Sequence, residues 1–168
     1  MTVAGGGLAL SAALHAAALA GHIPELLQPF VGEQSFVPMA GLFAVWIPAV
    51  LIAQRLEGPS RMNFSWKRLL SGCPAWMRYA AFGLFVYAFV NFFIAIGMAP
   101  GSEHGTVRIS SGHWMLFYGM AFCIFYSAWR QPRLLARFRC PAGHDVAPGD
   151  SYCPRCGLPI SAADNSTA

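Results

Sequence analysis

The chain has 168 residues, of which 11% are charged and 56% are apolar, whereas a soluble domain averages about 25% charged residues. Eleven Lys and Arg against seven Asp and Glu give a net charge of +4, and the mean hydropathy is +0.48. This composition excludes a disordered chain, is not typical of a soluble enzyme, and gives no support to a nucleic-acid binder, because long stretches carry no charge at all.

Four stretches lack Asp, Glu, Lys and Arg. They are Ala4–Ala20, Phe36–Ala53, Tyr79–Met98 and Trp114–Trp129, with 17, 18, 20 and 16 residues. A membrane-spanning helix needs about 20 apolar residues, with a lower limit near 17. The fourth stretch is short, but it has a Trp at each end, where an aromatic belt is expected. Four such stretches in one small chain predict four transmembrane helices rather than buried core helices.

The first stretch has an alternative interpretation as a cleaved signal peptide, because Ala18-Leu19-Ala20 fits a small-residue cleavage site. No Lys or Arg precedes the apolar run, however, and His15 lies inside it. We therefore predict a retained helix. Small residues at every fourth position predict a face that lets a neighbouring helix approach closely; they are Gly5, Ala9, Ala13 and Ala17.

The positive charges predict the orientation. Ten of the eleven cations lie either in Gln54–Arg78 or after Trp129, whereas the opposite side carries only Arg108. The positive-inside rule makes the cation-rich side cytoplasmic. We therefore expect a multi-pass protein of the plasma (bacterial inner) membrane with both termini in the cytoplasm.

The cysteine pattern is the strongest local signal. Cys140-Pro-Ala-Gly-His144 is followed by Cys153-Pro-Arg-Cys156-Gly157, so two pairs of soft ligands are each separated by a short turn. Cys140, His144, Cys153 and Cys156 can close a tetrahedron around one zinc ion, and four protein ligands leave no position for a catalytic water. Disulfides are disfavoured in a reducing cytoplasm, and a C-x-x-C redox pair lacks its usual strand-to-helix context. The pattern therefore predicts a structural zinc site.

The segment Arg139–Ile160 resembles a zinc ribbon, the small fold built on two rubredoxin-type knuckles. The second knuckle, CPRCG, matches the family's usual form, whereas the first has CPAGH, with a histidine in place of the second cysteine. The resemblance implies a metal-stapled module at the C-terminus of a small bacterial multi-pass membrane protein. The membrane part also resembles such proteins, but this likeness carries no function with it.

These observations predict an all-α membrane protein with a small C-terminal zinc ribbon. Residues 1–130 form the four-helix transmembrane domain, with spans at about 4–20, 36–53, 79–98 and 114–129. Residues 131–160 form the ribbon with a basic linker, and residues 161–168 form a flexible tail.

A second group of polar residues falls on the predicted outer side. His15 and Asn91 lie at similar depth in the first and third spans, and we expect a hydrogen bond between them, worth about 1 kcal/mol. Ordinary interfacial histidines are the favoured interpretation, and a haem or transition-metal site is the alternative. The candidate residues of this group are His15, His22, His104, His113 and Asn91.

No nucleophile–base pair, phosphate loop or paired carboxylate is visible, so we expect a non-enzymatic protein. The expected partners are the lipid bilayer and a cytoplasmic protein that binds the ribbon. We expect no nucleic acid among the partners, and a homo-oligomer is left open as an alternative to a monomer. The alternative function is a membrane redox or metal-handling protein that uses the outer histidines.

Overall fold

The computed structural model describes residues 1–31, 36–57, 65–98, 103–132, 138–146 and 150–160. These fall into two compact units, Met1–Ala49 with Pro74–Cys123 and Val50–Cys73 with Ile124–Ala168. The tail predicted for residues 161–168 lies outside the described residues.

The described part is mainly helical. A short 3₁₀ helix, Glu25–Phe30, follows the first of five α-helices: α1 (Thr2–Leu19), α2 (Phe36–Glu57), α3 (Trp66–Leu69), α4 (Ala75–Met98) and α5 (Glu103–Arg130). Among the described residues, three helices are long and apolar enough to cross a membrane. They are Thr2–Leu19, Phe36–Arg55 and Ala75–Gly97, with mean hydropathies of 1.4, 2.2 and 2.0.

Helix α4 has small residues on its buried face and large ones on its exposed face. Ala81, Ala88 and Ala95 recur every seven residues and are almost fully buried. The aromatic and aliphatic side chains around them are largely exposed, among them Phe82 at 68% and Phe93 at 65%. A soluble protein would bury such side chains. Small residues between helices and large apolar ones outside are the arrangement expected of a helix that faces lipid.

Helix α5 corrects the prediction for residues 99–113, which were expected to form an outer loop. The helix begins at Glu103, eleven residues before the predicted fourth span. It contacts the other three long helices of the first unit, and residues from Val107 to Ala128 are buried or half-buried. Because its polar residues contact protein, a charge-based search for spans placed its start too late.

The packing of α1 also differs from the prediction. Ala9 and Ala13, expected on a small-residue contact face, are exposed. The buried side of the helix is lined instead by Ala4, Ser11, Leu14, His15, Ala17 and Ala18. On a helix of 3.6 residues per turn, residues spaced four apart shift gradually around the helix axis. This spacing therefore did not identify the buried face.

In the second unit, the segment after α3 packs on the end of α5. Leu69, Leu70 and Cys73 are buried. The Gly72 amide donates to Ser127 Oγ at 3.0 Å, and a Cβ at Gly72 would lie 2.6 Å from the Ser127 carbonyl oxygen. Only glycine permits this close approach.

The C-terminal part of the second unit contains two short hairpins. Strand β1 (Phe138–Arg139) pairs antiparallel with β2 (Asp145–Val146), and Tyr152 forms an isolated antiparallel bridge with Pro159. The buried core of this region is Cys140, Val146 and Cys153, with Ile160 packed against it.

Candidate metal centre

The first hairpin presents Cys140 and His144 from one tight turn. The Cys140 amide donates to the His144 carbonyl at 3.0 Å, and the Gly143 amide donates to the Cys140 carbonyl at 2.7 Å. Gly143 has φ of +80°, a left-handed conformation that glycine adopts without steric cost. The turn therefore needs its glycine directly before His144.

The second hairpin presents Cys153 and Cys156 from a turn that is one residue longer. The Cys153 amide donates to the Leu158 carbonyl, and the Gly157 amide donates to the Cys153 carbonyl, each at 2.8 Å. Gly157 has φ of +72°. The order of glycine and candidate ligand therefore differs between the two turns. Gly143 directly precedes His144 in the first turn, whereas Gly157 directly follows Cys156 in the second.

The four candidate ligands converge on one point. Their ligand atoms all lie within 4.8 Å of one another. Cys140 Sγ is 3.6 Å from His144 Nδ1 and 3.7 Å from Cys156 Sγ, and Cys153 Sγ is 3.8 Å from His144 Nδ1. Metal bonds of 2.3 Å to sulfur and about 2.05 Å to nitrogen give tetrahedral edges of about 3.8 Å for S···S and about 3.5 Å for S···N. The Cys₃His group can therefore hold one metal ion.

The electrostatic surroundings of the second turn favour an anionic sulfur. Burial raises the pKa of the Cys153 thiol, but hydrogen bonds from the backbone amides of Arg155 and Cys156, and from the Cys156 and Cys140 side chains, outweigh burial and lower the pKa to about 6. Cys140 and Cys153 are almost fully buried, whereas Cys156 is exposed. The thiolate is the form that binds a metal.

The outer histidines do not form a comparable cluster. Among the residues that the structure describes, the Cys₃His group is the only set of three or more Cys, His, Asp or Glu residues placed to hold a metal. His22 is exposed after α1. His113 donates from Nδ1 to the Ile109 carbonyl at 2.8 Å and packs edge-to-face on Phe92. His104 belongs to α5, but its side chain lies outside the described part.

His15 is buried, and both of its ring nitrogens are hydrogen-bonded. The Ser111 hydroxyl donates to the Val107 carbonyl at 2.6 Å, so Ser111 Oγ accepts from His15 Nδ1 at 3.0 Å. His15 Nε2 then accepts from the Tyr87 hydroxyl at 2.5 Å. In a neutral ring, this chain of hydrogen bonds places the proton on Nδ1.

The predicted bond between His15 and Asn91 is wrong, although both residues are buried and close to Gly112. Asn91 Oδ1 accepts from Arg108 Nε at 2.7 Å, and Asn91 Nδ2 donates to the Arg108 carbonyl at 3.2 Å. Helix α5 supplies the partners of both residues. Sequence reasoning missed Ser111 and Arg108 because it placed them in a loop; their spacing of three residues was the available signal.

Comparisons with protein-family models, with curated proteins and with solved structures found no match to this chain.

Proposed function

We propose that the protein crosses the membrane four times and that α5 is the fourth span. Its contacts with the three apolar helices support this proposal: a Cβ at Gly7 of α1 would overlap the Tyr118 ring, Trp46 of α2 packs on Phe117, and a Cβ at Gly119 would lie 2.9 Å from Leu84 of α4. With 28 residues, α5 is about 42 Å long, more than the hydrocarbon thickness of about 30 Å.

The proposed location is the bacterial inner membrane, with both termini and the Cys₃His module in the cytoplasm. The support is the distribution of ten of the eleven cations, which lie on the side of the inner loop and the C-terminal segment.

We infer that the ion held by Cys140, His144, Cys153 and Cys156 is Zn²⁺ and that its role is structural. The donor set and the distances fit a tetrahedral zinc site, and four protein donors fill that geometry. Bound zinc supplies a cross-link between the two turns. The module needs such a link, because the buried core among its described residues consists of Cys140, Val146 and Cys153, with Ile160 beside them.

We propose a non-enzymatic role in which this zinc ribbon is presented to a cytoplasmic protein. The observation that carries the proposal is the four-donor cluster, in which Cys140 and Cys153 are buried while apolar side chains of the module remain exposed. Tyr152 is 66% exposed and Leu158 is 41% exposed. Exposed aromatic side chains on a rigid module are typical anchors of protein interfaces.

The rival function, redox chemistry or metal handling at the outer histidines, has less support. A metal or haem at His15 would require one of its two ring hydrogen bonds to break.

The test begins with the metal content of the full chain purified in detergent. The wild-type protein is expected to contain one zinc per chain. Cys153→Ser is expected to lose it, and Cys123→Ala, a control in α5, is expected to keep it.

The second experiment tests the interaction. A photo-crosslinking residue at position 152 is expected to capture a cytoplasmic protein, while the same residue at position 26 is not. Zinc binding without an adduct at position 152 would leave the structural site standing and contradict the interaction role. A haem band or a second metal that disappears in His15→Ala would favour the rival.

A further inference from the structure

The end of α5 carries a segment that is fixed to it by two hydrogen bonds. Ser71 Oγ donates to Gln131 Oε1 at 2.9 Å, and the Gly72 amide donates to Ser127 Oγ at 3.0 Å. Leu69 is only 2% exposed, so the C-terminal end of α3 is anchored in protein. The start of α3, in contrast, is exposed.

Two aromatic and two cationic side chains that are close in sequence to these bonded residues are exposed. We call this group the α3–α5 rim; it consists of Trp66, Lys67, Trp129 and Arg130. Trp66 is 51% and Trp129 is 65% exposed. Tyr126 packs edge-to-face on Trp129, with 5.9 Å between ring centroids, which orients the indole.

The rim lies at the level where a span ends. Trp129 is two residues beyond Ser127, which is about 3 Å along a helix axis. Segment 65–74 lies between α2 and α4, so it is connected to the ends of two apolar helices. Trp at such a level and cations beside it are the side chains that meet lipid headgroups.

The charge of the rim is of one sign. The sequence contains no Asp or Glu in residues 65–78 or in residues 124–132. The complementary partner is therefore anionic, and at this level of a membrane protein the abundant anion is the phosphate of an acidic phospholipid.

We propose that the α3–α5 rim binds the headgroups of anionic phospholipids. This inference rests on the proposed insertion of the helices in a membrane, but neither on zinc nor on the direction of insertion. The cations bind the phosphate, and the two indoles hold the lipid at the boundary between headgroups and hydrocarbon.

The experiment is native mass spectrometry of the full chain in a neutral detergent, with phosphatidylglycerol or phosphatidylcholine added at equal concentration. We expect the wild-type protein to retain phosphatidylglycerol preferentially. Each cation near a charged lipid surface contributes about fivefold in affinity, so the double variant Lys67→Gln/Arg130→Gln is expected to lose about 25-fold. The matched control Arg139→Gln/Arg155→Gln, which removes two exposed arginines outside the rim, is expected to bind as the wild type does.

Equal retention of the two lipids would contradict the proposed lipid binding at the rim. A loss of phosphatidylglycerol affinity in the control variant as large as that in Lys67→Gln/Arg130→Gln would also contradict it. Displacement of phosphatidylglycerol by millimolar inorganic phosphate would assign the site to free phosphate and also overturn the proposal. Membrane fractionation and zinc content are measured in parallel. Failure of the protein to stay in the membrane fraction would contradict both the proposed spans and lipid binding at the rim. A zinc content that differs between a variant and the wild-type protein would bear on the proposed zinc site alone.

Discussion

His144 occupies a position that the usual knuckle pattern does not provide. The first turn is closed by a hydrogen bond from the Cys140 amide to the His144 carbonyl, and it has a left-handed glycine at position 143. Because this glycine occupies position 143, the candidate ligand lies at position 144. From there Nδ1 reaches the sulfur atoms of Cys140 and Cys153 at 3.6 and 3.8 Å. The histidine is thus adapted to a turn one residue shorter than the one that carries Cys156.

The first prediction concerns this ligand. His144→Ala is expected to weaken zinc binding at least tenfold, since even the loss of a residue that only supports a ligand costs about 10- to 100-fold. Competition with a chromophoric chelator measures the change. His22→Ala removes an exposed histidine and should leave the affinity unaltered. An unchanged affinity in His144→Ala would mean that the fourth ligand is something other than this imidazole.

At the scale of elements, the described part of the Cys₃His module has a small buried core, so we expect its folding to depend on the proposed ion. We therefore predict that complete removal of zinc makes residues 138–160 sensitive to protease, because zinc contributes about 10–16 kcal/mol to the folding of comparable modules. The helices pack through contacts of their own and should remain inserted. Limited proteolysis of membranes before and after chelation measures both effects. Continued protection of the module without zinc would contradict the metal-dependent fold.

The packing of α1 on α5 provides the third prediction. A Cβ at Gly7 would overlap the Tyr118 ring, whose hydroxyl donates to the Pro38 carbonyl at 2.8 Å, whereas a Cβ at Gly6 would meet nothing within 4 Å. Gly7→Ala is therefore expected to destabilise the bundle by about 1–3 kcal/mol, as overpacking usually does.

Gly6→Ala is the matched control for Gly7→Ala, because the two glycines are neighbours on the same helix. It should have no destabilising effect. Thermal unfolding of the two variants in the same detergent measures the difference, and equal stability would show that α1 does not pack on Tyr118.

The three apolar helices could be predicted from the sequence because lipid-facing helices must lack charge along their length. Their bounds differ by a few residues, as for α4, which begins at Ala75 rather than Tyr79. Helix α5 could not be bounded in this way, because it contains Arg108, whose Nε donates to Asn91 Oδ1 of α4. The convergence of Cys140, His144, Cys153 and Cys156 as candidate ligands could be predicted from their spacing. The approach of His144 through Nδ1 and the different position of the glycine in each turn depend on backbone conformation.

The fourth prediction belongs to the whole molecule. A compartment reporter fused after Ile160 should give a cytoplasmic signal, because ten cations lie on that side. Single cysteines introduced at Leu26 and Lys67, both exposed, should react with impermeant reagents from opposite sides. Labelling of both positions from the same side would contradict the order of the spans.

The central position of α5 has a consequence for how the protein is made. The three helices that precede it in synthesis present apolar surfaces and can leave the translocon for lipid on their own. Helix α5, the fourth span of our proposal, carries Arg108 and Ser111 in its N-terminal half and is a poor candidate for solitary entry into lipid. Once α1 and α4 are in place, however, they offer His15 and Asn91 as partners for Ser111 and Arg108. On the proposed four-span arrangement, insertion of the last helix is therefore a folding step, in which the three helices already in the membrane provide the polar partners that lipid lacks.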